Sequence, residues 1–414
     1  MKPFFALSFA EFFGKSLAFI NTIVIVKLLS QSDYGLLSVL QGHMSVLVPI
    51  STLALGYAST KYIPQYLASK REHIVPFIQM AIWTTMLLSF ITTIFCILGS
   101  KWIAINFYSQ DSLKIYIVIV SFSIFLTSIV GLFSGILQGY QFFKEVAKFN
   151  IINSVLVNLF PIIGCWLGGL IGWCFSFLIA SFIVFLYMMF LLNMKIDLFS
   201  IMRQRVNWKT EISVITRFAI PSMLISFITN FSSIYLVSLL LKTENGVKEN
   251  ALLAVALRIT SPVMLSINTI SKIMLPQFSQ LYASNDIIKI KDARRMNFIA
   301  ILVATLLVSI PLFLFSTQIL LFFGKNYLEA KSILNFFIIV TLIQSLNNFY
   351  GNIIVSRGRI KMALIYSLFF CFATLVCGQV LVNMWGVKGV VISYIVAWSL
   401  YTLLFFFDDY KLNK

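Results

Sequence analysis

Three charged side chains lie inside the first apolar segment of the chain, where charge is costly. The stretch FAEFFGKSLAFINTIVIVKLL, residues 9–29, carries Glu11, Lys15 and Lys27. A charge near the centre of a bilayer costs about 2.5–3.5 kcal/mol even on a lenient insertion scale. Glu11 and Lys15 lie four residues apart with the acid first, which favours an ion pair, whereas Lys27 is close enough to the segment's end to snorkel. We interpret Glu11 and Lys15 as a structural pair or as residues of a wet cavity that binds substrate or moves protons.

Other polar side chains recur at helical spacing within later apolar segments, and they tend to face helices or a cavity because lipid is a poor solvent for them. The candidate substrate-contacting residues are Lys15, Arg258, Lys272, Asn158, Asn348 and Asn352. The candidate ion-coupling residues are Glu11 and His43. Because Arg stays charged and Glu11 is the one acid inside a predicted span, such a cavity would suit an anionic or phosphate-bearing substrate.

Each candidate has a structural alternative that the sequence leaves open. Asparagines inside membrane helices often only hydrogen-bond across helices, at about 0.6 kcal/mol each. Arg258 could form a structural ion pair, and Lys272 is near enough to a helix end to snorkel. His43 could be a packed histidine rather than a proton carrier.

The composition is that of a membrane protein. Of 414 residues, 60% are hydrophobic and 11% are charged, and mean hydropathy is +0.95. Soluble domains are about 45–50% apolar and about 25% charged. The net charge of +17 is explained by basic inner loops rather than by nucleic-acid binding. All five cysteines lie in apolar segments with no C-x-x-C pair, so we expect packing roles for them.

Twelve segments are long enough to cross a hydrocarbon core of about 30 Å. The predicted spans are 6–29, 36–60, 74–99, 113–137, 147–166, 170–192, 214–241, 251–275, 297–322, 333–356, 362–384 and 389–407. With both termini cytoplasmic, twenty of the 31 lysines and arginines fall on inner segments and seven on outer ones. This bias predicts that orientation.

The two halves of the chain resemble each other weakly. Gly169 and Gly172 correspond to Gly386 and Gly389 at an offset of 217, and the same offset relates Lys144 to Lys361. We therefore predict a six-plus-six duplication, with lobes at 1–205 and 206–414. Because six is even, the pseudo-two-fold axis runs along the membrane normal, an arrangement typical of transporters that hold substrate between two lobes.

Motifs of soluble catalysis are missing from the sequence. It contains no G-x-x-x-x-G-K-[ST], no H-E-x-x-H and no G-x-S-x-G, and it has two histidines in all. We expect no enzyme, no cofactor and no metal site. The adjacent acids Asp408 and Asp409 lie in the C-terminal tail, where we expect a solvated charge run.

Several stretches resemble a known family. FFGKSLAFINTIVIVKLLSQSDYGLLSVLQG (12–42), STLALGYASTKYIPQ (51–65) and WGVKGVVISYIVAW (385–398) are similar to segments of bacterial O-antigen and polysaccharide repeat-unit flippases. The resemblance implies the fold of the multidrug/oligosaccharidyl-lipid/polysaccharide exporter superfamily (MATE-like), an all-α integral membrane protein whose two six-helix bundles form a V around a cationic cavity.

The resemblance also implies a function. The substrate would be an undecaprenyl-diphosphate-linked oligosaccharide, moved from the cytoplasmic to the periplasmic leaflet of the inner membrane by alternating access, with proton coupling. The implied partners are this substrate, membrane lipids, a polysaccharide polymerase and a chain-length regulator, without nucleic acid. One alternative is a multidrug exporter, which would need more acids in its cavity, and another is a peptidoglycan precursor flippase, which usually has two further spans. The remaining alternatives are a membrane polymerase or glycosyltransferase and a non-transporting scaffold.

Overall fold

The computed structural model describes residues 2–284 and 287–412, which are helical almost throughout. The helices are α1 (Lys2–Leu28), α2 (Gln31–Thr52), α3 (Leu55–Ser69), α4 (Ile74–Trp102), α5 (Leu113–Gly139), α6 (Phe143–Ile196), α7 (Leu198–Arg203), α8 (Ile212–Val214), α9 (Ile220–Leu241), α10 (Gly246–Ser284), α11 (Ile287–Leu314), α12 (Ser316–Phe323), α13 (Lys331–Ser356), α14 (Ile360–Trp385) and α15 (Val387–Leu412). Within these ranges there is no β-strand, as predicted.

Eleven helical stretches of the described chain are long and apolar enough to cross a membrane. The predicted spans 147–166 and 170–192 both lie in α6, whose 54 residues change direction at Gly168 and Gly169. The aromatic rings of Phe149 and Tyr187 stack with centroids 6.3 Å apart, so the two parts of α6 run side by side as a hairpin. The structure therefore confirms the predicted all-α architecture with its twelve membrane-crossing segments.

The second predicted span begins and ends differently in the structure. The prediction is 36–60, but α2 begins at Gln31 and ends at Thr52, three residues after Pro49. Leu53 and Ala54 then take left-handed backbone angles, with φ of 47° and 51°, before α3 begins. Non-glycine residues rarely adopt this conformation, and the hydrophobic run across the break gave no sign of it.

The chain divides into two compact units. Unit 1 holds Met1–Leu29 and Val39–Asn230, and unit 2 holds Ser30–Ser38 and Phe231–Lys414. The short segment Ser30–Ser38, which follows α1 in sequence, thus belongs to the C-terminal unit. In unit 1 the core lies where α3, α4, α5 and α6 meet, and in unit 2 a buried aromatic cluster lies where α10, α11 and α13 meet.

Both units contain the same glycine-dependent hairpin at positions 217 residues apart. Gly169 has φ 57° and ψ −138°, and Gly386 has φ 55° and ψ −130°, a region that L side chains avoid. Three residues later, a Cβ on Gly172 or on Gly389 would lie 2.0 Å from a carbonyl oxygen of the preceding helix. Glycine is thus required twice in each hairpin, once for the turn and once for close helix contact.

The turn at the other end of each hairpin's first helix also repeats. Gln141 with φ 63° and Gly358 with φ 77° are both left-handed and lie 217 residues apart. In unit 1 the Phe142 N–H bonds the Leu137 carbonyl at 3.0 Å, and in unit 2 the N–H of Arg359 bonds the carbonyl at 354 at 3.2 Å. Matching backbone geometry at one constant offset is what the predicted duplication requires.

Small residues allow the helices of unit 1 to approach closely. A Cβ on Gly135 would lie 2.2 Å from the Gly56 carbonyl oxygen, and one on Gly139 would lie 2.5 Å from the Ser59 carbonyl oxygen. Helix association in membranes depends on such packing, because lipid tails are as apolar as the helix faces. The contact of α3 with α5 therefore relies on backbone-to-backbone approach.

Gly135→Ala should destabilise the protein because the new methyl group meets backbone that cannot rotate away. Overpacking of this kind costs about 1–3 kcal/mol. Gly131→Ala is the matched control on the same helix, since nothing lies within 4 Å of a Cβ there and alanine gains up to about 1 kcal/mol over glycine in a helix. Thermal unfolding in detergent micelles measures both. Equal melting temperatures for the two variants would contradict the close-packing account.

Candidate functional site

The predicted polar residues of unit 1 fall into two groups, those that join helices and those that stay open. Asn158 belongs to the first group. The Asn21 amide donates to the Asn158 Oδ1 at 3.2 Å, and the Asn158 amide donates to the Ser154 carbonyl at 2.7 Å. The hydrogen bond between Asn21 and Asn158 thus holds α1 against α6. This agrees with the structural alternative, in which an intramembrane asparagine only joins helices.

Glycine supports the same contact. A Cβ on Gly14 would lie 2.4 Å from the Ser154 Oγ, so α1 passes directly over the polar face of α6. The stripe of polar residues that the sequence displays on this segment therefore faces α1, a protein surface that can meet its hydrogen bonds.

Lys15 and Glu11 share α1 but differ in environment. Lys15 is exposed and makes no ion pair with any described residue, whereas Glu11 is half-buried. The Lys15 side chain is thus open on the surface of unit 1, within a helix that is long and apolar enough to cross a membrane. Lys27, near the end of α1, is also exposed, as expected of a snorkelling lysine.

His43 is buried rather than open to a cavity. Its Nδ1 lies 3.1 Å from the hydroxyl of Tyr108, and the two rings meet edge to face with centroids 5.9 Å apart. The Nε2 is buried and has no hydrogen-bond partner among the described residues. This arrangement favours the packed histidine over a proton carrier in contact with water.

Arg258 of unit 2 is half-buried on α10 and hydrogen-bonds Tyr34. Tyr34 is itself buried and packs edge to face on Tyr327, with ring centroids 6.4 Å apart. The motif SDYG (32–35) has no role predicted from its sequence, and its tyrosine is one contact of the intramembrane arginine.

The same segment is fixed to α10 at two further points. The Asn250 amide donates to the Gly35 carbonyl at 2.8 Å and to the Ser38 Oγ at 2.6 Å. A Cβ on Gly35 would lie 2.2 Å from the Val247 carbonyl oxygen, so only glycine lets the chain pass here. These contacts hold Tyr34 in place on Arg258.

Asn348 and Asn352 come together on one face of α13. The Ser271 hydroxyl donates to the Asn348 Oδ1 at 2.8 Å, and the Asn352 amide donates to the same oxygen at 3.1 Å. Asn348 therefore joins α10 to α13 while remaining half-buried. Lys272, the remaining candidate, lies on α10 outside the residues whose side chains the structure describes.

The expectation of a solvated acid pair near the C-terminus is wrong. Asp408 and Asp409 are 8% and 2% exposed. Arg359 donates to the Asp408 Oδ1 at 2.6 Å, Arg294 makes a two-pronged contact with Asp409, and Arg357 lies 3.5 Å from the Asp409 Oδ1. Adjacent acids in a terminal segment resemble a charge run in sequence, and only the fold shows that arginines from α11 and from the turn between α13 and α14 surround them.

A second buried acid lies at the end of unit 1 and was not singled out from the sequence. Glu211 is 1% exposed, accepts a hydrogen bond from the Tyr66 hydroxyl at 2.6 Å and lies 2.5 Å from the His73 Nδ1. Burial and then the Glu211 carboxylate raise the pKa of Tyr66, which keeps this hydroxyl a donor. The cluster ties the segment after α7 to α3 and to the turn before α4.

Candidate metal ligands do not gather in this fold. Among the described residues there is no group of three His, Cys, Asp or Glu side chains that could hold an ion. The chemistry available at the candidate residues is binding by cations, amides and hydroxyls.

Comparison with known proteins yields two family matches. Residues 1–282 match the family described as polysaccharide biosynthesis protein, and residues 221–380 match the MatE family. An uncharacterised membrane protein of Methanocaldococcus jannaschii is 26% identical over 168 residues, which is 38% of this chain. The chain spans about a third (33%) of the length of that relative.

Solved transporters share the fold. An inward-facing multidrug resistance MATE family transporter of the MOP superfamily has a TM-score of 0.81 at 16% identity, over 96% of this chain and 94% of that one. An outward-facing one has a TM-score of 0.76 at 16% identity, over 100% and 96%. A MOP superfamily transporter from Pyrococcus furiosus, described by the reverse polarity of its binding pocket, has a TM-score of 0.73 at 17% identity. The match covers 100% of this chain and 96% of that one. These likenesses confirm the predicted MATE-like fold.

Asp409→Asn should lower thermal stability, because it leaves the charges of Arg294 and Arg357 without their shared carboxylate. Breaking a largely buried ion pair on one side costs about 3 kcal/mol. Asp111→Asn is the matched control, an exposed aspartate with no ion pair among the described residues. Thermal unfolding of both variants in detergent measures the difference, and an Asp409→Asn melting temperature equal to that of Asp111→Asn would contradict the role of the arginine cluster.

Proposed function

The chain belongs to the polysaccharide biosynthesis protein family, within the MOP superfamily of transporters, and on that premise we propose that it is a flippase for a lipid-linked oligosaccharide. The substrate we propose is an undecaprenyl-diphosphate-linked repeat unit of O-antigen or of another surface polysaccharide. It would pass from the cytoplasmic to the periplasmic leaflet by alternating access. The protein itself is a multi-pass membrane transporter of MATE-like fold, as its families and its structural neighbours are.

The observation that carries this proposal is an available cation within a membrane helix of a polysaccharide-family transporter. Lys15 is exposed on α1 without an ion pair in the described chain, inside a segment of mean hydropathy 1.5. An ammonium at such a place needs water or an anion, since a bare charge in hydrocarbon is costly. A diphosphate supplies that anion, and hydrogen bonds to a charged group contribute about 1.5–3 kcal/mol.

The placement in the cell is part of the proposal. The bias of lysine and arginine supports the inner membrane with both termini in the cytoplasm. Arg294, Arg357 and Arg359 all gather at the end of unit 2 where the C-terminal helix finishes, which agrees with that orientation. We also propose that a polysaccharide polymerase and a chain-length regulator act on the translocated product.

Proton coupling is the energy source we propose, and Glu11 and His43 are its two candidate residues. His43 is buried against Tyr108, whereas Glu11 is half-buried, one helical turn from the exposed Lys15. Glu11 is therefore better placed to exchange a proton with water, and we assign the coupling role to it.

A multidrug exporter is the second candidate, because the MatE match and the solved neighbours include that activity. Cationic drugs require acidic partners, whereas the intramembrane candidates of this chain are mainly basic. The same transport assay distinguishes the two, since it can present a lipid-linked sugar or a cationic dye.

Lys15→Ala should reduce translocation about tenfold or more, because a charged hydrogen bond to the diphosphate is lost. The measurement is the loss of a fluorescent polyprenyl-diphosphate oligosaccharide from one leaflet of proteoliposomes. Lys114→Ala, which removes an exposed lysine in the first turn of α5, is the control for net charge. If wild-type protein leaves this lipid in place but exports ethidium, the multidrug function replaces the proposal.

Arg258→Ala tests whether this arginine serves the substrate or only the fold. Tyr34→Phe removes the tyrosine hydroxyl to which Arg258 bonds while it retains the arginine's charge. We expect Arg258→Ala to abolish translocation and Tyr34→Phe to retain at least half of it. Equal losses of translocation and of melting temperature in the two variants would mean that Arg258 acts through its contact with Tyr34 alone.

A further inference from the structure

A groove of about 490 Å³ runs between α11 and α13 of unit 2. Its walls are apolar, and several of these side chains are about half exposed, among them Ile310, Phe313 and Ile339. On α13 the groove extends from Ser332 to Leu342. At a rise of about 1.5 Å per residue this is roughly 15 Å, half of a hydrocarbon core of about 30 Å. The groove therefore covers the depth of one leaflet.

Two polar atoms in this apolar groove have no hydrogen-bond partner within the described chain. They are the Ser309 Oγ, in a side chain whose residue is 2% exposed, and the Asn335 Oδ1. A serine in a membrane helix ordinarily bonds the carbonyl one turn back, as Thr305 does to Ile301 at 2.6 Å. Buried polar groups are seldom left unpaired, so the Ser309 Oγ and the Asn335 Oδ1 can each accept a hydrogen bond from a molecule in the groove.

A second cavity, of about 540 Å³, adjoins the groove, because Ser332 lines both. It lies at the end of unit 2 where α14 gives way to α15, which is the outer end in the proposed orientation. Glu249 belongs to its wall and is already engaged, accepting the Val387 N–H at 2.8 Å at the start of α15.

Six other polar side chains around this second cavity make no hydrogen bond and no ion pair with any described residue. They are Gln31, Asn245, Lys248, Asn326, Glu329 and Lys388. Amides both donate and accept hydrogen bonds, lysine donates and carboxylate accepts. Two lysines and two glutamates leave the wall with no net charge, which suits the hydroxyl and amide groups of a sugar better than an anion alone.

The structure thus places a polar cavity beside an apolar groove on one face of unit 2, with Ser332 in both walls and with Ser309 and Asn335 inside the groove. A lipid-linked sugar likewise joins a polar sugar to an apolar isoprenoid chain through a phosphate linkage. We propose that this face is an exit site, where the translocated substrate rests in the outer leaflet before release. The inference depends on the proposed function, and it places a binding site for the lipid chain within unit 2.

The size and the polar lining of the cavity argue for this occupant over a phospholipid. A small headgroup would leave most of the volume of about 540 Å³ and most of the free donors and acceptors unused. Pockets of about 300–1,000 Å³ are the usual size for compact organic ligands. A sugar attached to the lipid fills the cavity and uses its free donors and acceptors together.

Photolabelling in nanodiscs tests the exit site. The probe is a polyprenyl-diphosphate N-acetylglucosamine with a diazirine on the isoprenoid chain, and labelled peptides are identified by mass spectrometry. Ile339→Trp should fill the groove and reduce labelling of α11 and α13 about tenfold. This is the loss of affinity expected when roughly two methylene groups of the isoprenoid chain no longer contact the groove. Ile365→Trp is the matched control, since Ile339 and Ile365 are 44% and 42% exposed and Ile365 lies outside the groove.

The polar cavity has its own pair of variants. Lys388→Gln should weaken labelling by the sugar-bearing probe, whereas Lys361→Gln, an exposed lysine at the other end of the same unit, should not. Unlabelled polyprenyl-diphosphate sugar should compete with the probe, and phosphatidylglycerol should not. Equal competition by phosphatidylglycerol, or labelling unchanged by Ile339→Trp, would overturn the proposal in favour of an ordinary phospholipid.

Translocation is measured on the same variants to separate this inference from the proposed function. If wild-type protein translocates the lipid and Ile339→Trp changes neither labelling nor rate, the exit site is wrong and the flippase function stands. If wild-type protein is labelled in the groove with competition by the sugar lipid alone yet translocates nothing, the binding site stands and the function falls. If it is neither labelled nor active, both fall.

Discussion

The constraint on which this structure depends is that a polar group in hydrocarbon must find its partner inside the protein. The chain meets this constraint locally and in several ways. Asn158 bonds Asn21 across two helices, Arg258 bonds Tyr34, and hydroxyls such as Thr305 bond the carbonyl of the preceding turn. Where the described chain offers no partner inside an apolar helix, as at Lys15, a function becomes the better explanation.

At equivalent positions, the two halves of the chain use different groups for contacts between helices. At the offset of 217, Gly131, Gly135 and Gly139 of α5 correspond to Asn348, Asn352 and Ser356 of α13. Gly135 and Gly139 bring backbones into contact, whereas Asn348 reaches Ser271 and Asn352 through side chains. Backbone contact is rigid and dry, and amide contact can be exchanged for water or for a ligand hydroxyl. The asymmetry therefore gives the C-terminal half the more adaptable polar face.

Much of the fold could be predicted from the sequence because its strongest signals are physical. Apolar length defines the spans, and the repeated glycines mark turns that no other residue can make. The break at Leu53 and Ala54 could not be predicted, since neither residue favours a left-handed backbone and the hydrophobic run continues across it. The candidate site was predictable only in part. Lys15 and Arg258 could be chosen because they are charged residues well inside apolar segments, but a sequence cannot show that Tyr34 contacts Arg258 or that Asp409 is buried among arginines.

The free polar groups of unit 2 also bear on how a flippase releases its cargo. A site that bound the oligosaccharide by strong charge alone would retain it, because paired ions in a dry pocket separate slowly. The cavity at the outer end of unit 2 offers balanced charges and amides that remain accessible to water, so each contact with a sugar can be replaced by a contact with water at little cost.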